Sequence, residues 1–554
     1  MAFMKYHKLY LSFAALGAVS LLTLAGCGQQ ASGHSGHGKY AANQTLNWTE
    51  LQELSTADLS KVTDTVSFTM LQSTQEGLYR LDAKGKPQLA IATHARLSNG
   101  AKTYTFDLRH NAHWSNGDPV TAQDFVYSWR RTLTPKTAAQ MQSYLFPVVN
   151  AKAINAGKLP ASALGIHAQG KYRLVVNLTK PVAYWKTLLA WPLFYPENAK
   201  VVTKNGNRYG TSSARVVSDG PYQLTKWNGT SKTWTLAKNP HYWNHANVHL
   251  TAINYQVNES TTTSYNIFTA KKADETLLSG QQVKNNLNNP NFVKRLPTGT
   301  QRLDLNQKKV PALRNVQVRQ ALSAAINRQQ LVKNVLQDGS VASSGLVPVG
   351  MGNNPQTGED FSREAGVPQA TAYDLSRAKA LLQKGYRATH THQLHLTLSV
   401  GDVDATKQTA EFLQSSLEKL PGVKIAVKAV PYVQLINQQS AGNYQLTLSG
   451  AQSVMADPNE FLDNYLTHTS DNITGFTNAQ FDRLMDQADN QDGNQPAVRW
   501  QKLVAAEKVL MTQQATIPLF QQAKSQLLRT TVKGIIYNPA GVPFDFTHAY
   551  MGRA

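Results

Sequence analysis

Hydrophobic and polar positions alternate through Tyr104, Phe106 and Leu108, the period of a strand with one buried face. Ser115-Asn116-Gly117-Asp118-Pro119 follows as a dense turn signal that ends the strand. The period then becomes helical. Phe125, Val126, Trp129 and Leu133 share one face, Thr121 stands at the N-cap with Asp124 completing a capping box, and Pro135 stops the run. Strand, tight turn and helix are thus predicted as one rigid unit. Leu174–Leu178 alternates as a further strand, and Trp185–Phe194 reads as an aromatic-rich helix or loop.

Further along, Arg302–Asn306 is a short strand leading into a predicted helix over Val318–Leu336, with Val318, Leu322, Ile326, Val332 and Val335 on its apolar face. Leu394, Leu396, Leu398 and Val400 alternate as a strand. Ala405–Leu420 follows as a helix with Phe412, Leu413 and Leu417 inward, then Lys424–Val430 as a strand, Tyr432–Gln439 as a short helix and Tyr444–Leu448 as a strand. This β-α-β-α-β order with short connections predicts an α/β fold with parallel strands and right-handed crossovers. Ligands of such sheets bind beyond the carboxyl ends of strands at a topological switch point. Val400–Asp402 and a loop over Ser449–Asp457 are therefore the candidate binding segments. Glu507–Thr516 reads as helix, and Ile517–Phe520 as a strand returning to the first half of the chain.

The first residues change the picture of where the fold begins. Lys5 and Lys8 precede an uncharged apolar run over Leu9–Leu24, rather short for a membrane span, which ends in Leu24-Ala25-Gly26-Cys27. That ending resembles a bacterial lipobox. It implies a signal peptide over residues 1–26, acylation of Cys27 and a tether over 27–45 that is rich in Gly and Ser. Two acyl chains anchor stably. Cys27 is the one cysteine in the chain, so the exported body has no disulfide. His34 and His37 lie in the tether, where they make a poor metal site.

The formal net charge is +21 although charged residues are only 16% of the chain. The basicity is therefore mostly a shortage of acids. No basic run interleaved with aromatics suggests nucleic-acid binding. The positive field suits anionic cell-wall polymers as a further partner. No HExxH, GxSxG or Walker A sequence occurs, and Ser376-x-x-Lys379 and Ser416-x-x-Lys419 are chance matches on surface helices. With no cysteine nucleophile and no ligand cluster at zinc spacing, the expectation is no enzyme, no cofactor and no metal.

The run Trp114–Phe125 (WSNGDPVTAQDF) resembles the turn of the family-5 extracellular solute-binding proteins, the oligopeptide-binding subunits of ABC importers. Glu76–Asp82, Asp219–Leu224, Asn239–Trp243 and the positions Arg319, Ala321, Leu322, Ala325, Ile326, Asn327 and Arg328 match further family segments, with Gln75 where an aromatic is usual. The resemblance covers nearly all of Leu46–Tyr550. It implies a two-lobed periplasmic-binding-protein-like fold (type II, cluster C) with an extra subdomain on the first lobe. The implied boundaries are 46–75 and 191–301 for lobe I, 76–190 for its extra subdomain, 302–518 for lobe II and 519–554 for the return to lobe I.

The resemblance further implies a monomer, lipid-anchored to the outer face of the bacterial cell membrane. It would capture an oligopeptide between the lobes and deliver it to ABC permease subunits. Relatives typically carry W-x-x-D-Y-x-D-P-x-x-F-L after the last strand of lobe II, the first Asp pairing with the peptide α-amine and the Trp lining the cleft. Anchoring on Asp457-Pro458 places Val454 at that Asp and Ala451 at that Trp. The expected ligand-binding residues are Glu76 and Gly77 at the cleft rim, Gly220 and Tyr222 near the hinge, and Gln452, Ser453, Val454 and Asp457, with Asp457 either taking the amine or capping the next helix. The rival readings are a degenerate paralogue for another solute or a signalling peptide, and a basic structural or adhesive envelope protein.

Overall fold

Thr103–Leu108 is a strand with Tyr104, Phe106 and Leu108 buried, and Ala122–Leu133 is the helix that follows it. The Asp124 carboxylate accepts from the Thr121 backbone N–H at 2.7 Å and from its hydroxyl at 2.9 Å, which fixes the first turn. These facts come from a computed structural model that describes residues 39–553. The expected signal peptide, Cys27, and His34 and His37 of the expected tether lie outside the described residues.

The chain forms two lobes. Lobe I is built on a four-stranded sheet in the order Thr45–Glu50, Ala252–Val257, Thr233–Lys238, Tyr222–Thr225. A second four-stranded sheet, Ala92–Ser98, Thr103–Leu108, Arg173–Asn177, Ile166–Ala168, leans on it. The two sheets share one core, in which Trp48, Phe106, Trp129, Trp185, Tyr195 and Trp234 belong to a continuous buried cluster. Burying such aromatics is the main drive to fold here.

Lobe II is a six-stranded sheet ordered Val341–Ala342, Ile517–Gln521, Gly299–Leu305, Leu446–Gln452, Leu394–Gly401, Val423–Val430. Its last three strands are parallel, as the β-α-β-α-β order requires. Gly299–Leu305 runs antiparallel to both of its neighbours, so the sheet is mixed. A separate apolar cluster, with Phe361, Phe461, Phe481 and Leu503 at its centre, fills the helical half of this lobe.

Three expectations change. The helix over Val318–Leu336 breaks: Val316–Ala324 ends, Asn327 caps a new turn by accepting from the Gln330 N–H, and Leu331–Leu336 is π-type. The break turns Arg328 inward, where its guanidinium donates to Pro518 O at 2.6 Å, Thr371 O at 2.8 Å and Ser323 Oγ at 2.9 Å. The predicted strand Tyr444–Leu448 instead spans Leu446–Gln452, because Ser449–Gln452 pair with Gly299–Arg302. The lobe crossings also sit elsewhere. Phe292–Arg295 and Lys524–Leu528 pair within lobe I, whereas Gly299–Leu305 and Ile517–Gln521 pair within lobe II. The hinges are therefore residues 296–298 and 522–523.

Charge is buried where lobe I needs it to hold distant segments together. Arg131 grips Asp58 through two contacts of 2.7 and 2.6 Å and Glu197 at 2.7 Å, beneath the Tyr209 ring. Desolvation raises Glu197 to about 8 despite this cation. Arg131→Met strands two buried carboxylates and should lower lobe I stability by about 3–5 kcal/mol in urea unfolding. A loss under about 1 kcal/mol would show that the network is replaceable.

Candidate functional site

The strand Leu446–Gln452 positions the site. Along one side it pairs with Gly299–Leu305 over its whole length. Along the other it meets Leu394–Gly401 only at Leu446 and Thr447. Among the described residues, the edge from Leu448 to Gln452 is therefore unpaired. It faces a cavity of ≈ 430 Å³ bounded by the hinge residues Pro297 and Gln522, by Gly401–Val403, and by Tyr432, Leu435 and Ile436 of the helix Tyr432–Ser440. Gln439 closes one end by donating from Nε2 to Leu448 O at 3.2 Å and Thr447 Oγ1 at 2.9 Å. The cavity lies beyond the carboxyl ends of the parallel strands, where the topology directs a ligand.

The chain then crosses the cleft. Ser453 donates its N–H to Thr298 O at 2.9 Å, and its hydroxyl meets that of Thr298 at 2.6 Å. Val454 and Met455 reach over and pack against the lobe I core. A second cavity of ≈ 470 Å³ opens here, between Gln72, Thr187 and Trp191 of lobe I and Val454–Ala456 of lobe II. Beside it Glu460 points back at the loop. Its Oε2 accepts from the Val454 N–H at 3.1 Å, and the Tyr144 side chain of lobe I stands close enough to interact with it. Burial raises this carboxyl to about 7.

A latch lies next to it. Both oxygens of Asp457 are taken by Arg499, at 2.8 Å each, and Oδ1 also accepts from the Asn459 N–H at 3.1 Å. The Arg499 guanidinium lies 5.6 Å from the Tyr184 ring centre of lobe I. Asn459 bridges Asp489 at 2.6 Å and Asp463 at 3.4 Å, while Lys180 of lobe I donates to Asn490 at 3.0 Å. Burial, with like charge from the neighbouring carboxylates, holds Asp463 well above its usual range.

The structure separates the expected site residues. Gln452, Ser453, Val454 and Asp457 fall together at the cleft. Asp457 already has a full cationic partner and turns its Oδ1 to the helix start, so capture of an amine there would require displacing Arg499. Glu76 is not at the rim. It is 0% exposed, with Arg80 Nε at 2.9 Å and the Tyr242 hydroxyl at 2.5 Å, and Arg80 also reaches Asp545 at 2.8 Å. Gly77 abuts the Tyr195 ring so closely that a Cβ would come within 2.3 Å of it. A Cβ on Gly220 would lie 2.6 Å from the Gln75 backbone, and the Gly220 N–H already donates to Thr74 O. Tyr222 is buried, with its hydroxyl on Phe546 O at 3.0 Å. These four residues brace lobe I instead of lining the cleft. Sequence reasoning missed Glu460, Tyr144, Arg499 and the apolar wall of Tyr432, Leu435 and Ile436. Only the helix directly after the strand end Val430 pointed toward that wall.

Residues 86–472 match the family described as bacterial extracellular solute-binding proteins, family 5 Middle. The "Dipeptide-binding protein" of Lactococcus lactis subsp. cremoris (strain MG1363) is 33% identical over 549 residues, 96% of this chain and 98% of that one. The solved structure of Listeria monocytogenes OppA bound to peptide superposes with a TM-score of 0.75 at 34% identity, covering 93% of this chain and 100% of that one. That of the pheromone receptor PrgZ, described with its mode of peptide binding, gives 0.76 at 32% identity over 92% of this chain and 100% of that one.

Glu460 supplies a test of the cleft. Its ordinary value is 4.5 when solvated and about 7 when enclosed against Tyr144. The closed form therefore binds this proton more tightly. Its contribution to closure is complete below 4.5 and is lost as pH rises through about 7. In the ligand-free protein, interlobe fluorescence transfer should fall across that window. Glu460→Gln should flatten its upper part, and an unaltered profile would place the proton elsewhere.

Proposed function

The chain belongs to the bacterial extracellular solute-binding proteins of family 5, a family of binding and transport and not of catalysis, and we propose that it captures peptides between its lobes and hands them to an ABC importer. The open strand edge Leu448–Gln452 carries this reading. A peptide backbone can add to that edge by main-chain hydrogen bonds, which gives affinity with little sequence preference, and its side chains then enter the hinge cavity. Tyr432, Leu435 and Ile436 favour an apolar side chain there. Acylated Cys27 would hold the monomer at the outer face of the membrane. No helix among the described residues is long and apolar enough to cross it.

Glu460 is the group we assign to the ligand's α-amine. It stands against Val454, the position at which relatives carry their acid, and it has one half-satisfied carboxylate at the cleft. A buried amine would ionise Glu460 and replace its proton as the neutralising partner. Should the anchor be something other than the amine, the altered loop would suit a ligand of fixed identity, such as a signalling peptide.

The test is calorimetric titration of the purified full chain with short apolar peptides, free and N-acetylated. A charge-assisted contact of about 1.5–3 kcal/mol predicts that acetylation weakens binding about tenfold or more. Glu460→Gln should abolish that difference. Equal affinity for both forms in the unsubstituted protein would refute the amine assignment while leaving peptide capture standing. No heat and no rise in melting temperature with any peptide would refute peptide capture itself.

A further inference from the structure

The pole of lobe II opposite the cleft has its own chemistry. Leu394–Gly401 is 8 residues long, so its amino end stands about 25 Å from the cavity at its carboxyl end. Leu446–Gln452 runs parallel to it and Gly299–Leu305 antiparallel to that, so the chain leaving Leu305 and the chain entering Leu394 emerge at this same pole. The parallel partner Val423–Val430 begins there as well.

Each of these three connections carries exposed cations. Lys308, Lys309 and Arg314 follow the first strand; Lys384 and Arg387, one turn apart on the helix Leu375–Thr389, precede the second; Lys419 and Lys424 flank the entry to the third. The connections touch one another: the Tyr386 hydroxyl donates to Pro421 O at 3.1 Å, the Leu394 N–H to Gly422 O at 2.8 Å, and Gly385 packs on Val318 and Asn315. None of the seven cations takes part in an ion pair described in the structure. The only acid within the connections is Glu418, whose carboxylate accepts from the Ile425 N–H at 3.0 Å, and Asp471 stands in the neighbouring loop.

We propose that this cationic pole docks an anionic polymer bearing phosphate groups, which holds lobe II by the end that does not handle the ligand. Seven neighbouring cations with almost no compensating acid repel one another, and a polyanion relieves that repulsion while releasing its own counterions. A bilayer fits less well. The three most exposed large hydrophobic side chains, Val403, Tyr432 and Val433, lie at the cleft end, and no exposed large hydrophobic lies in these connections. An interfacial membrane site needs an apolar face to bury.

The decisive experiment measures binding of the purified full chain to long-chain polyphosphate over a range of salt, with phosphatidylglycerol vesicles as the comparison. Affinity should fall steeply with salt. The combined variant Lys384→Gln, Arg387→Gln, Lys419→Gln and Lys424→Gln should bind at least about tenfold more weakly and flatten the log–log salt slope by about 3, at about 0.7 per lost contact on a flexible polyanion. Its peptide affinity should not change. A control neutralising Lys61, Lys136, Lys158 and Lys271 on lobe I alters the net charge equally and should keep the polymer site. If both variants weaken binding alike, the effect is diffuse charge and the site is refuted. Capture by vesicles with indifference to polyphosphate also overturns the proposal, in favour of a membrane surface.

Discussion

Both covalent links between the lobes run side by side, and the cleft depends on that fact. The Gln521 side chain donates to Pro297 O at 2.9 Å and to Val349 O at 3.1 Å, which ties one hinge to the other. Strands on either side of the hinges are locked into different sheets, so bending is confined to a few residues. Two rigid bodies on a paired hinge have one easy motion, closure toward each other. The open edge of Leu446–Gln452 sits beside this axis, where small rotations bring the opposite lobe over it.

The surfaces that meet on closure are not simply apolar. Tyr144, Lys180 and Tyr184 of lobe I come against Glu460, Asp489 and Arg499 of lobe II. Burying Glu460 and Asp489 in their charged form opposes closure unless some carboxylates take up protons or a cationic ligand arrives. Within a protein of net charge +21, Asp457, Glu460, Asp463 and Asp489 thus form a local group of carboxylates beside the cleft. Seven of the 55 basic residues gather at the far pole of lobe II. Function at one end and surface charge at the other are separated by the length of the sheet.

What the residues disclosed in advance was local. Strand, turn and helix over Thr103–Leu133 follow from alternation, turn chemistry and a capping box, all within reach of one another in sequence. The parallel order of lobe II followed from the same kind of pattern. Glu76 reads as a rim residue because Tyr242, which bonds it, and Asp545, which pairs with its partner Arg80, lie far along the chain, and no local signal says that a Glu beside a Gly is sealed in this way. Asp457 was half understood: its place before a helix was legible, whereas its pairing with Arg499, 42 residues later, was not. The extension of the last strand to Gln452 depended on Gly299–Arg302 as a partner, which periodicity could not supply. Glu460, three residues beyond Asp457, reads as an ordinary first-turn acid until the fold brings it back to Val454.

The central claim is that ligand capture closes the two lobes about the paired hinge. Fluorescence transfer between dyes on Lys61→Cys in lobe I and Lys379→Cys in lobe II, in protein stripped of bound ligand by mild unfolding and refolding, tests it directly. Adding a mixed short-peptide library should raise transfer saturably, and removing the peptides should reverse it. Unchanged transfer in protein that demonstrably binds peptide would contradict closure as the mode of capture.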